Sequence, residues 1–500
     1  MSYFLILDVG TTNVKAHAFS INGENLLELA ERLRPSYPRP GWVEEDPMDF
    51  IIRISRLVDT FFEKLGKPLG IGLTNQRSST VLWSKKSGEP LYNAITWQDT
   101  RTKDIVEEFS SRFLVSMGRT LGKAFNLLSK AFPPLKETSR GAYFVTLAYV
   151  SFGTTHSSMH LRWLIDNVPD ARRAVENGEA VFGTIDSWIA WNLTGRHVTD
   201  YTNASATGLF DSFSMKWSSN ILSIVGVPRS ILPTIVPNDA AIGRVKDYDV
   251  PLLTMIADQQ ASLYMAGVSK GVVKMTSGTG TFIDMNVGEK CMAGARGLYP
   301  LIALATKRRN LYLLEGNVLT SGSTLDWLIE VGLMKDYSEI REAFEKTGEG
   351  GIVFIPALSG LGTPYVKPDA TGMILGITRG TRREDLIRGA VEGVAMRCVE
   401  ILEYLEKTTG IRVQRVVADG GLSKSDDFLR TVANYSSKPV LRPVHLNGSA
   451  YGTYMLCKNI LLGKDPVEAW EEPAVEKAFT PVEPRGELMA RWTRALRRLL

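Results

Sequence analysis

Cysteine is scarce in this sequence: the 500 residues include only Cys291, Cys398 and Cys457, which lie far apart and form no CxxC pair. This scarcity argues against a disulfide framework or a zinc ribbon and is typical of a reducing compartment. Long apolar runs are also lacking, since the most apolar stretch, residues 142–152, is too short to span a bilayer. No basic n-region, apolar h-region or cleavage site precedes the first predicted strand. We therefore expect no signal peptide, no membrane partner and a cytoplasmic location.

Charge of one sign is not in excess either. The 58 lysine and arginine residues nearly balance the 54 aspartate and glutamate residues, which leaves a net charge of +4. The basic residues are scattered, so we expect no nucleic-acid partner. The one locally basic stretch, RWTRALRRLL at residues 491–500, is predicted to be the amphipathic last helix of a domain. The length and the 44% of hydrophobic residues predict a globular protein of two domains.

Two common nucleotide-binding motifs are missing. The sequence contains no G-x-x-x-x-G-K-[ST], which excludes a P-loop enzyme, and no G-x-G-x-x-G between a strand and a helix, which argues against a dinucleotide-dependent oxidoreductase. The stretch HSSMH places His156 and His160 four residues apart but lacks the glutamate of H-E-x-x-H and an evident third ligand. A metal site is therefore not expected at these histidines.

The first part of the chain has turn signals between short apolar runs. This pattern predicts strands at residues 4–8, 14–20, 26–32 and 69–76. Between the last two strands, Asp46 and Pro47 supply an N-cap and a first-turn proline for an amphipathic helix. Antiparallel strands followed by a helix and a further strand predict an α/β fold with a mixed sheet.

The second half of the chain repeats this order of elements. VVKMTSGTGTFIDMN predicts a strand, a Gly/Thr turn and a strand, like the opening hairpin, and a long helix is predicted to end at Gly410. The residues that follow predict a strand, a glycine turn, a helix and a strand. We place the boundary near residue 250, which divides the chain into domains at 1–250 and 251–500.

The two Gly/Thr turns suit the binding of an anion. Gly10 allows backbone N–H groups to approach a phosphate closely, and the hydroxyls of Thr11 and Thr12 add donors. Asp8, next to that anion, has the oxygen ligands that Mg²⁺ prefers. Taken alone, DVGTT is equally consistent with a tight hairpin. The second turn, TSGTGTF, favours two loops that clamp a polyphosphate between the domains, and ADGGLSKS at 418–425 adds a third loop at a helix N-terminus.

With these motifs the chain resembles the FGGY carbohydrate kinases, and among them the glycerol kinases. The similarity runs nearly end to end, through LDVGTTNVKA, GLTNQR, YNAITWQDTRT, FGTIDSWIAWNLTG, IADQQASL, SGTGTF, LEGNV, SGLGTPYVKPDATGMILGITRG and ADGGLSKSDDFL. The resemblance implies two actin-like, ribonuclease-H-like ATPase domains with mixed sheets and an ATP cleft between them. It also implies transfer of the γ-phosphoryl group of ATP to a hydroxyl of glycerol or a related polyol.

The resemblance also implies roles for individual residues. Asp258 would take or orient the acceptor's hydroxyl proton, although taken alone it is more typical of a helix N-cap, and together with Asp8 it would hold Mg²⁺. The ATP-binding residues implied are Gly10, Thr11, Thr12, Asn13, Lys15, Gly278, Thr279, Gly280, Gly322, Asp326, Gly420, Gly421 and Ser425. The acceptor-binding residues implied are Arg77, Ser78, Trp97, Thr155, Asp258, Gln259 and Phe282.

Three residues depart from the glycerol kinase pattern. Ser78 stands where a glutamate is usual, Thr155 replaces a tyrosine, and His160 replaces a lysine. The segment at 114–158 is also longer than a glycerol kinase needs. Loss of a carboxylate and an aromatic ring alters the hydrogen bonding of a pocket and hence its specificity. A larger acceptor, such as a pentitol, inositol or a ketopentose, is therefore an alternative to glycerol.

A different class of protein remains open as well. An actin-like ATPase shares the nucleotide clamp but moves a partner protein instead of phosphorylating a metabolite. The motifs NQR, TWQDTR and ADQQ favour the kinase, because an ATP-driven switch has no need of them. As partners we expect a small polyol or sugar, ATP and ADP, and further copies of the chain in a homodimer or higher oligomer.

Overall fold

The structure is a computed structural model that describes residues 2–348, 351–482 and 487–500. Over these residues the strands are β1 (Tyr3–Val9), β2 (Asn13–Ser20), β3 (Asn25–Arg32), β4 (Glu44–Glu45), β5 (Gly70–Asn75), β6 (Thr80–Ser84), β7 (Ala94–Ile95), β8 (Ala180–Thr184), β9 (Val198–Asp200), β10 (Phe210–Asp211), β11 (Lys216–Trp217), β12 (Thr234–Val236), β13 (Gly243–Val245), β14 (Val250–Ala257), β15 (Val272–Ser277), β16 (Thr281–Gly288), β17 (Tyr299–Ala305), β18 (Asn310–Val318), β19 (Val353–Ile355), β20 (Met373–Leu375), β21 (Arg415–Asp419), β22 (Val440–Pro443) and β23 (Val475–Phe479).

Helices cover the faces of the sheets. Within the same ranges they are α1 (Pro47–Leu65), α2 (Lys103–Ser111), α3 (Phe113–Ala131), α4 (Pro134–Glu137), α5 (Ser139–Leu147), α6 (Ser157–Asn167), α7 (Pro169–Glu176), α8 (Ile185–Thr194), α9 (Tyr201–Ser205), α10 (Ser219–Val225), α11 (Asp258–Ala266), α12 (Gly322–Glu330), α13 (Glu339–Lys346), α14 (Arg383–Thr409), α15 (Asp426–Ser436), α16 (Gly448–Leu461) and α17 (Glu487–Leu499).

Two large mixed sheets, of six and seven strands, share the topology of their central strands. The first has the strand order β13-β14-β5-β1-β2-β3, and the second has the order β17-β18-β16-β15-β21-β22-β23. In each, an antiparallel hairpin (β1–β2 or β15–β16) is followed by parallel strands on its other side (β5 and β14, or β21 and β22). This arrangement confirms the predicted α/β fold of two similar halves with mixed sheets.

The predicted elements of the first half form where their sequences indicate. Asp46 caps α1 by accepting a hydrogen bond from the backbone N–H of Met48 at 2.9 Å. Phe50, Ile54 and Leu57 then lie on the buried face of that helix, because apolar residues spaced three and four apart share one side. Strand β5 is buried at every position, as expected for a strand with parallel neighbours on both sides and helices over both faces.

Sheet membership changes later than the boundary that the sequence suggests. Strand β14 begins at Val250, yet it pairs in parallel with β5 of the first sheet. It therefore extends the first half through Ala257, and the second sheet begins at Val272. The sequence of β14 is almost continuously apolar, so nothing local shows which sheet it joins. The division into domains at residue 250 stays a prediction.

The basic C-terminal stretch lies in α17, whose apolar face is buried. Leu488, Trp492 and Leu496 pack against Ile355 and Val399 in one cluster. The predicted amphipathic last helix is therefore confirmed. None of the helices in the described residues is both long and apolar enough to cross a membrane.

Candidate active site

Two glycine turns and one helix N-terminus meet in the second half. The β15–β16 turn lies against the start of α12, where the N–H of Gly322 donates to the carbonyl of Gly278 at 2.9 Å. A Cβ at Gly322 would come within 2.6 Å of that carbonyl oxygen, and one at Gly420 would come equally close to the carbonyl of Ser277. Gly420 also has a φ of +84°. Glycine is thus required where these backbones touch.

Asp8 lies at the end of β1, directly opposite Lys15 on β2. Its carboxylate accepts a hydrogen bond at 2.8 Å from the hydroxyl of Ser449, which comes from α16 of the second half. Burial raises the pKa of Asp8 to about 6, while the Ser449 hydrogen bond and the Lys15 charge act in the opposite direction. The opening hairpin is therefore held to the second half through the residue that was expected to bind metal.

Trp97 contacts the β1–β2 turn directly. Its indole N–H donates to the hydroxyl of Thr11 at 3.1 Å, and that hydroxyl in turn donates to the side-chain carbonyl of Gln76 at 3.1 Å. The amide of Gln76 donates to Glu45 at 3.4 Å. The sequence suggested Trp97 as a wall for the acceptor; the structure shows in addition that it orients a hydroxyl of the β1–β2 turn.

Asp258 follows β14 and opens α11. Its carboxylate accepts a hydrogen bond at 2.7 Å from the backbone N–H of Gln259, but the N-cap of α11 is Ala257 and no side chain in the described residues caps this helix. The guanidinium of Arg77 lies 3.9 Å away. Burial raises the pKa of Asp258 above its ordinary value, and the charge of Arg77 opposes that rise. A carboxylate with a raised pKa at a strand end is a stronger base than an exposed aspartate.

Arg77 joins the two halves. It forms an ion pair at 2.7 Å with Glu315 on β18, and its guanidinium lies over the ring of Phe282 on β16, 5.6 Å from the centroid. Desolvation alone would lower the pKa of Arg77, but the charges of Glu315 and Asp258 outweigh it and raise that pKa. Burial raises the pKa of Glu315 to about 7 against the opposing charge of Arg77.

A second buried ion pair lies next to this one. Lys274 on β15 pairs with Asp284 on β16 at 2.8 Å, and its ammonium also donates to the side-chain oxygen of Gln259. Gln259 is thereby fixed in the cleft that was expected to hold the acceptor. Sequence reasoning missed Glu315, Lys274 and Asp284, although LEGNV, which contains Glu315, was among the stretches that resemble the family.

Ser78 and Thr155 differ in exposure, since Ser78 is buried and Thr155 is exposed. Ser78 has a φ of +66°, and its hydroxyl donates to the backbone carbonyl of Ala206 at 2.9 Å. Ser157, at the start of α6, donates to the carbonyl of Ser78 at 2.8 Å. Thr155 is exposed in the loop just before α6. The backbone around Thr155 thus lies near Ser78, but the Ser78 hydroxyl is held by the protein itself.

Residues predicted for the adenosine side lie around the glycine turns. Asp326, on α12, is exposed and accepts a hydrogen bond at 2.9 Å from the hydroxyl of Tyr337. Ser425 caps α15 through the N–H of Phe428 at 3.3 Å. A buried carboxylate that the sequence did not single out, Asp419, accepts hydrogen bonds from Ser262 and Thr276 immediately before Gly420. It holds the turn at Gly420 against β15 and α11.

The paired histidines form hydrogen bonds within the protein. His160 is buried and contacts the hydroxyl of Thr80 at 3.1 Å and the carbonyl of Thr154 at 2.7 Å. The ring of His156 accepts from the N–H of Gly153 at 3.2 Å. In the described parts of the chain, no group of three or more His, Cys, Asp or Glu side chains is arranged to hold a metal ion.

Asp8 and Asp258 suit a magnesium ion that arrives with a nucleotide. They are close enough for the charge of Asp258 to raise the pKa of Asp8. A divalent cation next to both would remove that repulsion, and Mg²⁺ is typically held by one or two carboxylates together with substrate phosphates and water. The oxygen donors present therefore fit this ion.

Glu45 is the last residue of the series of hydrogen bonds that runs from Trp97 through Thr11 and Gln76. Its protonation can be tested. Burial raises its pKa from 4.5 to about 8, so the folded protein keeps a proton that the unfolded chain releases. This contribution to stability is complete below about pH 4.5 and is lost as the pH rises through about 8. Glu45→Gln, which cannot ionise, should be more stable than the unchanged protein at pH 8 by a few kcal/mol, because a tenfold change in acidity corresponds to ~1.4 kcal/mol.

Urea unfolding at pH 5 and at pH 8 measures this difference, with the exposed Glu63→Gln on α1 as the control. Between the two pH values, Glu45→Gln should lose less free energy of unfolding than the unchanged protein, whereas Glu63→Gln should follow the unchanged protein. An equal pH dependence in all three proteins would contradict the proton on Glu45.

Two similar α/β domains, each with a glycine turn in its central hairpin and with carboxylates at their junction, are the features of a phosphotransferase that uses a nucleotide. Comparison with known proteins makes the class specific. Residues 3–117 and 129–262 match the model of the FGGY family of carbohydrate kinases, N-terminal domain, and residues 273–458 match its C-terminal domain. The chain belongs to the FGGY family of carbohydrate kinases, and it is an ATP-dependent carbohydrate kinase.

Individual relatives agree over their full lengths. The chain is 35% identical to an uncharacterized sugar kinase of Archaeoglobus fulgidus, with 98% of each chain covered. It is 34% identical to glycerol kinase 2 of Thermotoga maritima, with 100% of this chain and 99% of the relative covered. The crystal structure of Plasmodium falciparum glycerol kinase with ADP superposes with a TM-score of 0.89 at 28% identity, covering 100% and 98%.

Proposed function

We propose that this chain transfers the γ-phosphoryl group of ATP to a hydroxyl of glycerol or a related small polyol, with magnesium at the phosphates. The observation that carries the proposal is Asp258, a partly buried carboxylate with a raised pKa directly after β14. It lies next to Arg77 and near the carboxylate of Asp8 at the β1–β2 turn. The similarity to glycerol kinases over the whole chain supports the same acceptor class.

The residues at the cleft suit phosphoryl transfer, which needs mainly alignment and neutralisation of charge. Asp258 accepts the acceptor's hydroxyl proton as the oxygen attacks the phosphorus. Arg77, held by Glu315 and Phe282, orients the acceptor's other hydroxyls. Because Lys274 holds Gln259 in place, that amide adds a fixed hydrogen-bonding group.

The nucleotide side is built from backbone. N–H groups of the Gly10–Thr12 and Gly278–Gly280 turns bind the phosphates from opposite halves, and Lys15 adds a positive charge. Bound magnesium, held by Asp8 and Asp258, would neutralise charge on the phosphates. Gly322, Asp326, Gly420, Gly421 and Ser425 line the adenosine side in this proposal.

The acceptor is decided by a screen of ADP release over glycerol, erythritol, pentitols, hexitols, inositol and ketoses. The specific observation in favour of a larger acceptor is Ser78, whose hydroxyl proton is donated to the carbonyl of Ala206 and which offers a small polyol no carboxylate. We expect a higher kcat/KM for some four- to six-carbon polyol or ketose than for glycerol. Glycerol as the best acceptor would contradict this expectation and leave the kinase assignment intact.

Ser78→Glu tests the same position directly. The new carboxylate should accept hydrogen bonds from glycerol, and each bond to a charged group is worth ~1.5–3 kcal/mol. We therefore expect the ratio of kcat/KM for glycerol to that for the larger acceptor to rise about tenfold or more. Ser78→Gln has the same length without the charge and is the control. An equal ratio in both variants would show that a carboxylate at this position does not influence specificity.

The actin-like ATPase is separated from the kinase by the acceptor dependence of ADP release. A kinase releases ADP in proportion to phosphorylated acceptor, whereas an ATPase releases ADP and inorganic phosphate without one. ADP release unaffected by every polyol and sugar in the screen would overturn the proposed function. A homo-oligomeric state and a cytoplasmic location stay predictions.

A further inference from the structure

Helix α3 exposes a continuous apolar stripe. Leu114, Met117, Leu121 and Leu128 are 57%, 43%, 53% and 57% exposed. Together with the exposed Ala124 and Ala131, these side chains alternate at spacings of three and four along the helix and form what we call the α3 stripe. Side chains at such spacings lie on one face of a helix. The apolar surface is extended at its sides by three further exposed residues, Phe113, Leu127 and Phe132.

The outward direction of the α3 stripe is set by tight packing on the opposite face. Val115, Gly122 and Ser129 are buried there. A Cβ at Gly122 would come within 2.1 Å of the backbone nitrogen of Ala148, at the end of α5. Arg119 donates from this inner face to the carbonyl of Val150 at 2.9 Å. The helix therefore cannot rotate to bury its stripe without losing these contacts.

The segment around α3 is strongly basic. Residues 112–149 contain six lysine and arginine residues and one acidic residue, and of the six only Arg112 is paired, within the part of the chain that the structure describes, with a carboxylate just outside the segment, that of Glu108. Lys123 and Lys130 are exposed on α3 itself, and Lys136 and Arg140 are exposed just after it. Residues 118–128, the middle of the helix, also lie outside the match to the family's N-terminal domain.

We propose that the α3 stripe is a docking surface for an anionic lipid membrane, on which α3 lies parallel to the bilayer. Helices that bind in the membrane interface combine an apolar face with lysine and arginine on the polar side. Contiguous apolar patches on a protein surface mark interaction sites. From the sequence alone we expected no membrane partner. The exposed apolar face and the basic residues of α3 instead favour binding to a membrane that contains anionic lipid.

Charge favours a lipid surface over a second copy of the chain. Helix α3 contains no acidic residue. Two stripes packed against each other would bring together two basic helices, each with Lys123 and Lys130 and neither with a carboxylate. Anionic headgroups instead attract each nearby lysine. The partner surface that complements α3 is therefore both acidic and apolar. A bilayer that contains anionic lipid has both properties.

Co-sedimentation of the full chain with vesicles tests the proposal. We expect binding to phosphatidylcholine vesicles that contain phosphatidylglycerol and at least tenfold weaker binding to phosphatidylcholine alone. Raising the ionic strength from about 0.1 M to about 1 M shortens the Debye length from about 10 Å to about 3 Å and should release much of the bound protein.

Two double variants of α3 test the apolar and the basic contribution separately. Leu121→Gln with Leu128→Gln should weaken vesicle binding about a hundredfold. Lys123→Gln with Lys130→Gln should weaken it about tenfold or more.

The matched control replaces exposed apolar residues elsewhere, with Ile52→Gln and Leu462→Gln, and should bind vesicles like the unchanged chain. Circular dichroism confirms that each variant is folded. Absence of binding to the anionic vesicles, or equal binding to both vesicle types, would overturn the proposal. It would also fail if the α3 variants lowered the molecular mass in sedimentation while leaving vesicle binding unchanged, since the stripe would then be an interface between copies.

Discussion

Asp258→Asn is expected to lower turnover by about 10²–10⁴-fold while ATP still binds. The reason is that the amide cannot accept a proton from the acceptor hydroxyl, whereas the turns that hold the phosphates remain intact. The variant also loses one oxygen ligand for magnesium, so turnover is measured at saturating magnesium. Steady-state ADP release gives the turnover, and calorimetric titration with a non-hydrolysable ATP analogue gives the binding.

A second variant separates catalysis from the local hydrogen bond at the same position. Asp258→Asn keeps a side-chain carbonyl that can accept from the N–H of Gln259, and Asp258→Ala removes both the base and this hydrogen bond. Loss of one such hydrogen bond costs ~0.5–1.5 kcal/mol, so the alanine variant should be less stable than the asparagine variant but about equally inactive. Near-normal turnover in Asp258→Asn would show that the residue is not the catalytic base.

Asp8→Asn is the second variant with a large expected effect. We expect a higher magnesium requirement and a turnover lowered by about 10²-fold, since an arrangement that neutralises phosphate charge typically contributes several kcal/mol to catalysis. Folding should not suffer. Desolvation raises the pKa of this carboxylate to about 6, so a neutral amide removes a desolvation cost while Ser449 can still donate to its oxygen. Magnesium titrations of ADP release and thermal unfolding measure the two effects.

Ser449→Ala is the matched control for Asp8. It leaves the carboxylate in place but removes the 2.8 Å hydrogen bond that holds it. We expect a smaller kinetic loss than in Asp8→Asn, with little change in the magnesium requirement. If Asp8→Asn melted early with unchanged kinetics, the β1–β2 turn would be a structural hairpin and its metal role would be wrong.

Local sequence was sufficient for the elements that carry the glycine turns. The opening hairpin, the cap of α1 by Asp46 and the end of α14 before Gly410 all lie where alternation, capping residues and turn residues indicate. Such signals act within a few residues, and the physical preferences behind them do not depend on the rest of the chain. The motifs around these turns also sufficed for the family.

Contacts between distant residues were decided by the tertiary structure alone. The ion pair of Arg77 with Glu315 and the hydrogen bond of Ser449 to Asp8 join residues that are hundreds of positions apart. Strand β14 joins the first sheet because β5 offers it a free parallel edge, which its own apolar sequence does not reveal.

Side-chain directions were decided in the same way. Ser78 was expected to face the acceptor, yet its hydroxyl is taken by the carbonyl of Ala206. The spacing of the apolar residues of α3 is typical of a buried helix face, but Gly122 and Arg119 hold the helix with Leu121 and Leu128 outward. The sequence by itself therefore determined the elements, the turns and the family. Packing between elements decided which charges meet and which apolar face remains exposed, because those energies depend on neighbours that are remote along the chain.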